Sequence, residues 1–156
     1  MLEIKVPGNK ELRIEHLVLD YNGTIALDGR LIDEVGRCLI HLSKYVQVHV
    51  VTADTFGSVR KNLKGIDCKV HLLEPNFQDI QKRDYVAKLG SHMTVCIGNG
   101  CNDKLMLKEA SLGIGVISEE GAFAETLMHS DVVCTTIVSA LGLLIQPLRL
   151  TATLRN

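Results

Sequence analysis

The chain has almost no excess of charge. Its 17 basic and 18 acidic residues nearly cancel over 156 positions, so nothing favours nucleic acid or an anionic membrane surface as a partner. No Cys-x-x-Cys pair occurs: Cys38, Cys68, Cys96, Cys101 and Cys134 are scattered. An odd, unpatterned set without a leader sequence points to reduced thiols and a cytoplasmic location. Nor is there a His-x-x-x-His pair, and His16, His41, His49, His71, His92 and His129 read as structural or surface residues. The longest apolar stretch near the C-terminus, Ala140 to Ile145, is far too short to cross a bilayer. Repeats, low-complexity tracts and linkers are missing too, which with the length predicts a single domain over residues 1–156.

What the chain does have is apolar strands separated by helical segments. Hydrophobic residues make up 46% of it, as expected where strands are buried on both faces. Leu2 to Val6 and Glu11 to Ile14 predict an N-terminal hairpin, and Asp28-Gly29 a second turn. Strands are predicted at 16–19, 46–51, 70–73, 94–97, 113–117 and 131–134. Helices are predicted at 32–43, in a polar segment ending near Gly65, at 77–89, 102–110 and 119–129, and in a last segment through Leu144. Leu31, Val35, Leu39 and Leu42 share one stripe; Ile80, Val86 and Leu89 are expected to face inward, with Gly90 closing their helix. The order implies right-handed crossovers and a mostly parallel sheet in an α/β fold.

Two strand ends carry acids. Asp20-Tyr21-Asn22-Gly23-Thr24 follows the run 16–19, and Gly98-Asn99-Gly100-Cys101-Asn102-Asp103 follows the run 94–97. In a parallel sheet such ends meet in the crevice where α/β proteins bind ligands. An aspartate nucleophile at Asp20, with Asp103 helping to hold magnesium, suits phosphoryl transfer. Taken singly, each stretch is an ordinary turn or helix cap, Thr52 is a strand-ending hydroxyl, and Lys82 belongs to a solvated helix face.

The ordered set resembles the haloacid dehalogenase (HAD) superfamily, and within it soluble proteins similar to the phosphorylation domain of P-type ATPases. The motifs are Asp20-x-Asn22-Gly23-Thr24; Thr52 at a strand end; Lys82 in Gln81-Lys82-Arg83-Asp84-Tyr85-Val86-Ala87-Lys88-Leu89; and Gly98-x-Gly100-x-Asn102-Asp103. The resemblance implies a Rossmann-like, three-layer HAD-type sandwich. It also implies a magnesium-dependent phosphatase-type hydrolase working through an aspartyl-phosphate at Asp20. Metal ligation would fall to Asp20, the Asn22 position, Asn99 and Asp103. Phosphate binding would fall to Thr52, Ala53, Lys82 and Gly23, and Thr24 would donate or cap.

Two positions depart from the family pattern. Asn22 stands where most of its phosphatases have the acid that protonates the leaving group, and Asn99 stands where a carboxylate usually binds magnesium. A slow hydrolase is therefore expected, since general acid-base help is worth about 10² to 10⁴ in rate. Thr52-Ala53-Asp54 resembles the Thr-Gly-Asp of the transport ATPases and marks Asp54 as an auxiliary acid. The spacings from Asp20 to Thr52 and from Thr52 to Lys82 leave no room for a cap domain or a nucleotide-binding domain. The crevice is then open in the monomer, and a neighbouring copy would close it through the 25–31 hairpin and apolar Leu141, Leu144, Ile145 and Leu148, unless that tail packs on its own sheet. The expected partner is a phosphorylated small molecule or phosphoprotein. A non-catalytic phosphate- and metal-binding module, and ATP as phosphate donor, are the competing readings.

Overall fold

His16–Asp20 forms a strand in which every residue from Leu17 onward is buried. Leu17 and Leu19 join one apolar cluster and Val18 joins another, because successive side chains of a strand point to opposite faces. A strand with two apolar faces belongs inside a sheet covered on both sides.

The structure is a computed structural model and describes residues 1–53 and 58–156. In chain order its elements are β1 (Leu2–Lys5), β2 (Glu11–Ile14), β3 (His16–Asp20), β4 (Ala26–Leu27), β5 (Arg30–Leu31), α1 (Val35–Leu42) and β6 (Gln47–Thr52). There follow α2 (Val59–Asn62), β7 (Cys68–Leu72), α3 (Gln78–Leu89), β8 (Thr94–Gly98), α4 (Lys104–Glu109) and β9 (Leu112–Val116). The chain ends with α5 (Ala124–Met128), β10 (Val132–Cys134), α6 (Ile137–Ile145) and α7 (Pro147–Leu154).

The main sheet has the order β10-β9-β8-β3-β6-β7, and every pairing in it is parallel. From β3 the chain moves outward through β6 and β7, then returns to the other side of β3 with β8. The order reverses between β3 and β8, and such a reversal opens a crevice beyond the strand ends. The expected Rossmann-like α/β fold and N-terminal hairpin are present, the hairpin being β1 paired antiparallel with β2. β4 and β5 form a second small ribbon, a flap over the β3 end. Asn62 fastens it, since Nδ2 donates to the Gly29 carbonyl at 2.7 Å and to the Tyr21 hydroxyl at 2.8 Å.

Three boundaries and one helix face differ from the sequence expectation. The first helix starts at Val35, not Ile32, because the Ile32 N–H is used by the Ile25 carbonyl and Glu34 adopts a left-handed φ of 71°. Leu31 therefore sits in the flap and packs on the core from there. The segment from Glu119 is not helical until Ala124. The Ser118 hydroxyl accepts from the Glu120 N–H and donates to the Gly121 carbonyl, fixing a turn that Gly121 completes at φ +84°. Ile80 is 38% exposed, whereas Lys82 on the same helix is 1% exposed; the inward face of α3 carries a charge where an aliphatic residue was expected. Finally, the C-terminal segment continues past Leu144 into α7 after a break at Gln146-Pro147. Proline has no N–H for the preceding helix and suits the first turn of the next. Leu141 and Leu144 are buried in this chain's own core, while Leu148 is 83% exposed.

Candidate active site

β3 and β8 are neighbours in register, with Leu19 opposite Ile97. This brings Asp20, at the end of β3, beside Asn99, just past β8, and the first turn after β8 returns Asp103 toward both. Lys82 enters from α3. Its Nζ donates to Asp20 Oδ1 at 2.6 Å, to Asp103 Oδ1 at 2.6 Å and to Asn102 Oδ1 at 3.3 Å. Three N–H donors meet three oxygens, which leaves the buried ammonium fully satisfied.

Asp103 is engaged on both sides. Oδ2 accepts the backbone N–H of Asn99 at 3.0 Å and of Gly100 at 2.8 Å. A Cβ at position 98 would lie 2.5 Å from the Asp103 Cγ, so only glycine lets the strand end come this close. Asn102, for which the sequence suggested only a capping role, bridges the helices as well: Nδ2 donates to Gln78 Oε1 at 2.9 Å.

Thr24 and Asn99 build the other half. The Thr24 hydroxyl lies 3.2 Å from Asp20 Oδ2 and 3.1 Å from Asn99 Oδ1. Asn99 Nδ2 donates to the Gly121 carbonyl at 3.0 Å and to Ser118 Oγ at 3.4 Å, which turns its carbonyl oxygen toward Asp20. Gly23 has φ +77°, and a Cβ there would meet Asn99 Nδ2 and Glu120 Oε2, each at 2.8 Å. Asn22 is exposed. Thr52 is buried at the end of β6, one residue beyond the Val51 that pairs with Asp20. Ala53 follows and is exposed, and Asp54 lies outside the described residues. The predicted residues from three of the four motifs thus interlock through hydrogen bonds, and Thr52 stands on the strand next to them.

The electrostatics are unbalanced by one charge. Lys82 faces two buried carboxylates, and burial of a carboxylate is costly unless it is paired. Burial pushes Asp20 up, Asp103 adds to the rise, and Lys82 with Thr24 pulls back, leaving Asp20 at about 6 instead of 3.8. Burial alone would lower the Lys82 pKa, but Asp103 and Asp20 outweigh it and raise it. A further cation beside Asp20 would relieve the excess.

No cluster of three or more His, Cys, Asp or Glu side chains suited to a metal occurs among the described residues. The donors are instead one carboxylate oxygen, Asp20 Oδ2, and one amide oxygen, Asn99 Oδ1, both within reach of the same hydroxyl. All are hard oxygens. Magnesium characteristically takes one or two carboxylates from protein and fills its octahedron with waters and a phosphate, so this sparse set fits that ion.

No protein-family model matches the chain. Uncharacterized protein MJ0073 of Methanocaldococcus jannaschii is 52% identical over 62 residues, 40% of this chain and 67% of that protein, and the two belong to one family. Phospholipid-transporting ATPase tat-1 of Caenorhabditis elegans is 31% identical over 70 residues, 42% of this chain but 6% of the ATPase. Among solved structures, the cobalt-bound deoxy-D-mannose-octulosonate 8-phosphate phosphatase of Haemophilus influenzae superposes with a TM-score of 0.72. The match has 14% identity and covers 92% of this chain and 94% of that one. The chain has the HAD fold. A second phosphatase, 3-deoxy-D-manno-octulosonate 8-phosphate phosphatase of Moraxella catarrhalis, was crystallised with magnesium, phosphate and KDO. It matches with a TM-score of 0.65 at 19% identity, over 85% of this chain and 86% of that one. Within the HAD fold, Asp20, Lys82 and Asp103 of this chain stand at the crevice where the sheet order reverses.

Proposed function

We propose that the chain is a magnesium-dependent phosphomonoester hydrolase that forms an aspartyl-phosphate on Asp20. The observation that carries this reading is the buried arrangement in which Lys82 of α3 joins Asp20, at the end of β3, to Asp103, in the turn after the adjacent parallel strand β8. The likeness in fold to magnesium- and cobalt-bound phosphatases supports it. A surface turn or a helix cap does not bury a lysine between two carboxylates.

The chemistry divides among the side chains. Asp20 attacks phosphorus, the bond from phosphorus to the ester oxygen breaks, and the alcohol leaves with a proton taken from solvent. Water then attacks the aspartyl-phosphate and releases inorganic phosphate, restoring the carboxylate. Covalent catalysis of this kind replaces one difficult step by two easier ones. Lys82 places its ammonium beside Asp20 and the incoming phosphate, offsetting charge on the equatorial oxygens. Asp103 holds Lys82 in place and, through the N–H groups of Asn99 and Gly100, shapes the loop that presents the Asn99 oxygen. Asp20, the Asn22 position and Asn99 would hold magnesium, with Asp103 supporting them from behind; the ion supplies charge neutralisation between nucleophile and phosphate. Thr52, Ala53 and Gly23 complete the phosphate cradle: Thr52 by its hydroxyl, Ala53 by its backbone N–H, and Gly23, whose own N–H donates to the Ala26 carbonyl at 2.7 Å, by letting the backbone approach closely. Asn22 cannot move a proton, so both steps are slow.

The five cysteines are free, which supports a reducing, cytoplasmic setting, and no single helix among the described residues is long and apolar enough to cross a membrane. The uncapped crevice and exposed Leu148 support closure by a second copy of the chain. The deciding experiment is hydrolysis of p-nitrophenyl phosphate with and without magnesium. Turnover that needs the ion and disappears in Asp20→Asn supports the enzyme. Phosphate binding without turnover supports a regulatory module in its place, and Asn22 is the residue that favours that second reading.

A further inference from the structure

The hydrolase reading leaves open which alcohol carries the phosphate. Beside the acid cluster lies a cavity of about 750 Å³, within the roughly 300–1,000 Å³ typical of small-molecule sites. Thr24 belongs to both. Its hydroxyl reaches Asp20 Oδ2 and Asn99 Oδ1, and the same residue lines the cavity. A phosphate held at Asp20 therefore has this space one residue away.

The walls are mainly aliphatic: Leu27 and Leu31 come from the flap, Val116 from β9, and Ile137 and Val138 from the first turn of α6. The charged residues along it are Arg30, Asp33 and Glu119, one cation against two carboxylates. Glu120 adds an acid at the Gly23 side, with Oε2 2.8 Å from where a Cβ at position 23 would sit. An anionic substituent would meet repulsion here. Ser118, Thr135 and Thr136 also line the space, but the Ser118 hydroxyl is engaged by Gly121 and Glu120, that of Thr136 by Ser139 and that of Thr24 by the acid cluster, so a polyhydroxylated substituent would exchange water for aliphatic walls and occupied hydroxyls.

We propose that this cavity receives the leaving group and that the substrate is the phosphomonoester of an uncharged apolar or aromatic alcohol, not of a sugar acid. The proposal rests on the hydrolase reading for its chemistry, but its ligand preference is measurable without turnover. The test is calorimetric titration of Asp20→Asn protein, in magnesium, with 1-naphthyl phosphate, ribose 5-phosphate and 6-phosphogluconate. Burial of the naphthyl ring should make the first bind about tenfold more tightly than either sugar phosphate. Val138→Glu added to the same protein should abolish that advantage while inorganic phosphate binds as before, which also shows that the variant is folded. Equal binding of the three esters, tighter binding of 6-phosphogluconate, or an advantage that survives Val138→Glu would overturn the proposal. A naphthyl preference with no turnover of any ester by the unmodified chain supports the cavity assignment and removes the hydrolase reading. Turnover of all three without preference does the reverse.

Discussion

Lys82 Nζ stands 2.6 Å from Asp20 Oδ1 and 2.6 Å from Asp103 Oδ1, with the lysine side chain fully buried. Removing one partner from a buried ion pair is strongly destabilising because the remaining charges lose their compensation. Lys82→Met should therefore lower stability by about 3 kcal/mol in urea unfolding at neutral pH. It should also abolish turnover. Unchanged stability would mean that the lysine is solvated and the cluster open.

Asn99 offers a sharper test, because its amide nitrogen donates to the Gly121 carbonyl at 3.0 Å. An acid at this position, though usual in the family, would set a carboxylate oxygen against that carbonyl and add a third negative charge near Lys82. Asn99→Asp should melt at a lower temperature than the unmodified chain without metal and gain more from added magnesium, since a second carboxylate then binds the ion. Thermal melts across a magnesium titration read both effects. A higher melting point without metal would show that the amide is not fixed as described.

Asn22 is exposed, so replacing it should be structurally neutral. Asn22→Asp supplies a proton-transfer group at the position where HAD phosphatases use one. Steady-state rates with an alkyl phosphate should rise by about 10². The gain should be smaller with p-nitrophenyl phosphate, whose leaving group needs little protonation. A uniform gain for both esters would mean that the added carboxylate acts by some route other than protonating the leaving group.

His49 is buried on β6, sharing hydrogen bonds with His16 at 3.1 Å and with the Tyr85 hydroxyl at 2.8 Å. Burial, with His16 and Lys69 adding like charge, lowers its pKa from 6.5 to about 4. The unfolded chain takes up this proton near 6.5 and the folded chain only near 4, so the contribution is whole above pH 6.5 and is lost as pH falls to 4. The loss amounts to about 3 kcal/mol at most. His49→Gln should be flatter than the unmodified chain over this window, as measured by urea unfolding at successive pH values; parallel curves would contradict it.

Much of the fold and the site was legible in the residues, for physical reasons. β3 and β8 were readable because a short apolar run followed at once by polar and glycine residues, Asp20 in one case and Gly98-Asn99 in the other, suits a buried strand that delivers polar groups to its end, and the flap because Asp28-Gly29 is turn chemistry. On α3 the inward positions of Lys82 and Val86 were readable but that of Ile80 was not: the buried lysine breaks the apolar periodicity of its helix, and the exposed Ile80 takes a place in the pattern that it does not hold in the fold. The late start of α5 was hidden because a Ser118 hydroxyl bond, not a propensity, sets the turn before it. The orientation of Asn99 and the link through Thr24 depend on contacts across the sheet, so no local pattern records them.

Locating the phosphoryl group during turnover tests the role of Asp20 without an intervening assumption. The protein is mixed with p-nitrophenyl phosphate and magnesium, quenched in acid and reduced with borohydride, which converts an aspartyl-phosphate to homoserine, and the peptides are read by mass spectrometry. Homoserine is expected at position 20 alone, and absent when substrate is omitted. Turnover with an unmodified Asp20, or a modification at any other residue, would contradict a phosphoenzyme at this position.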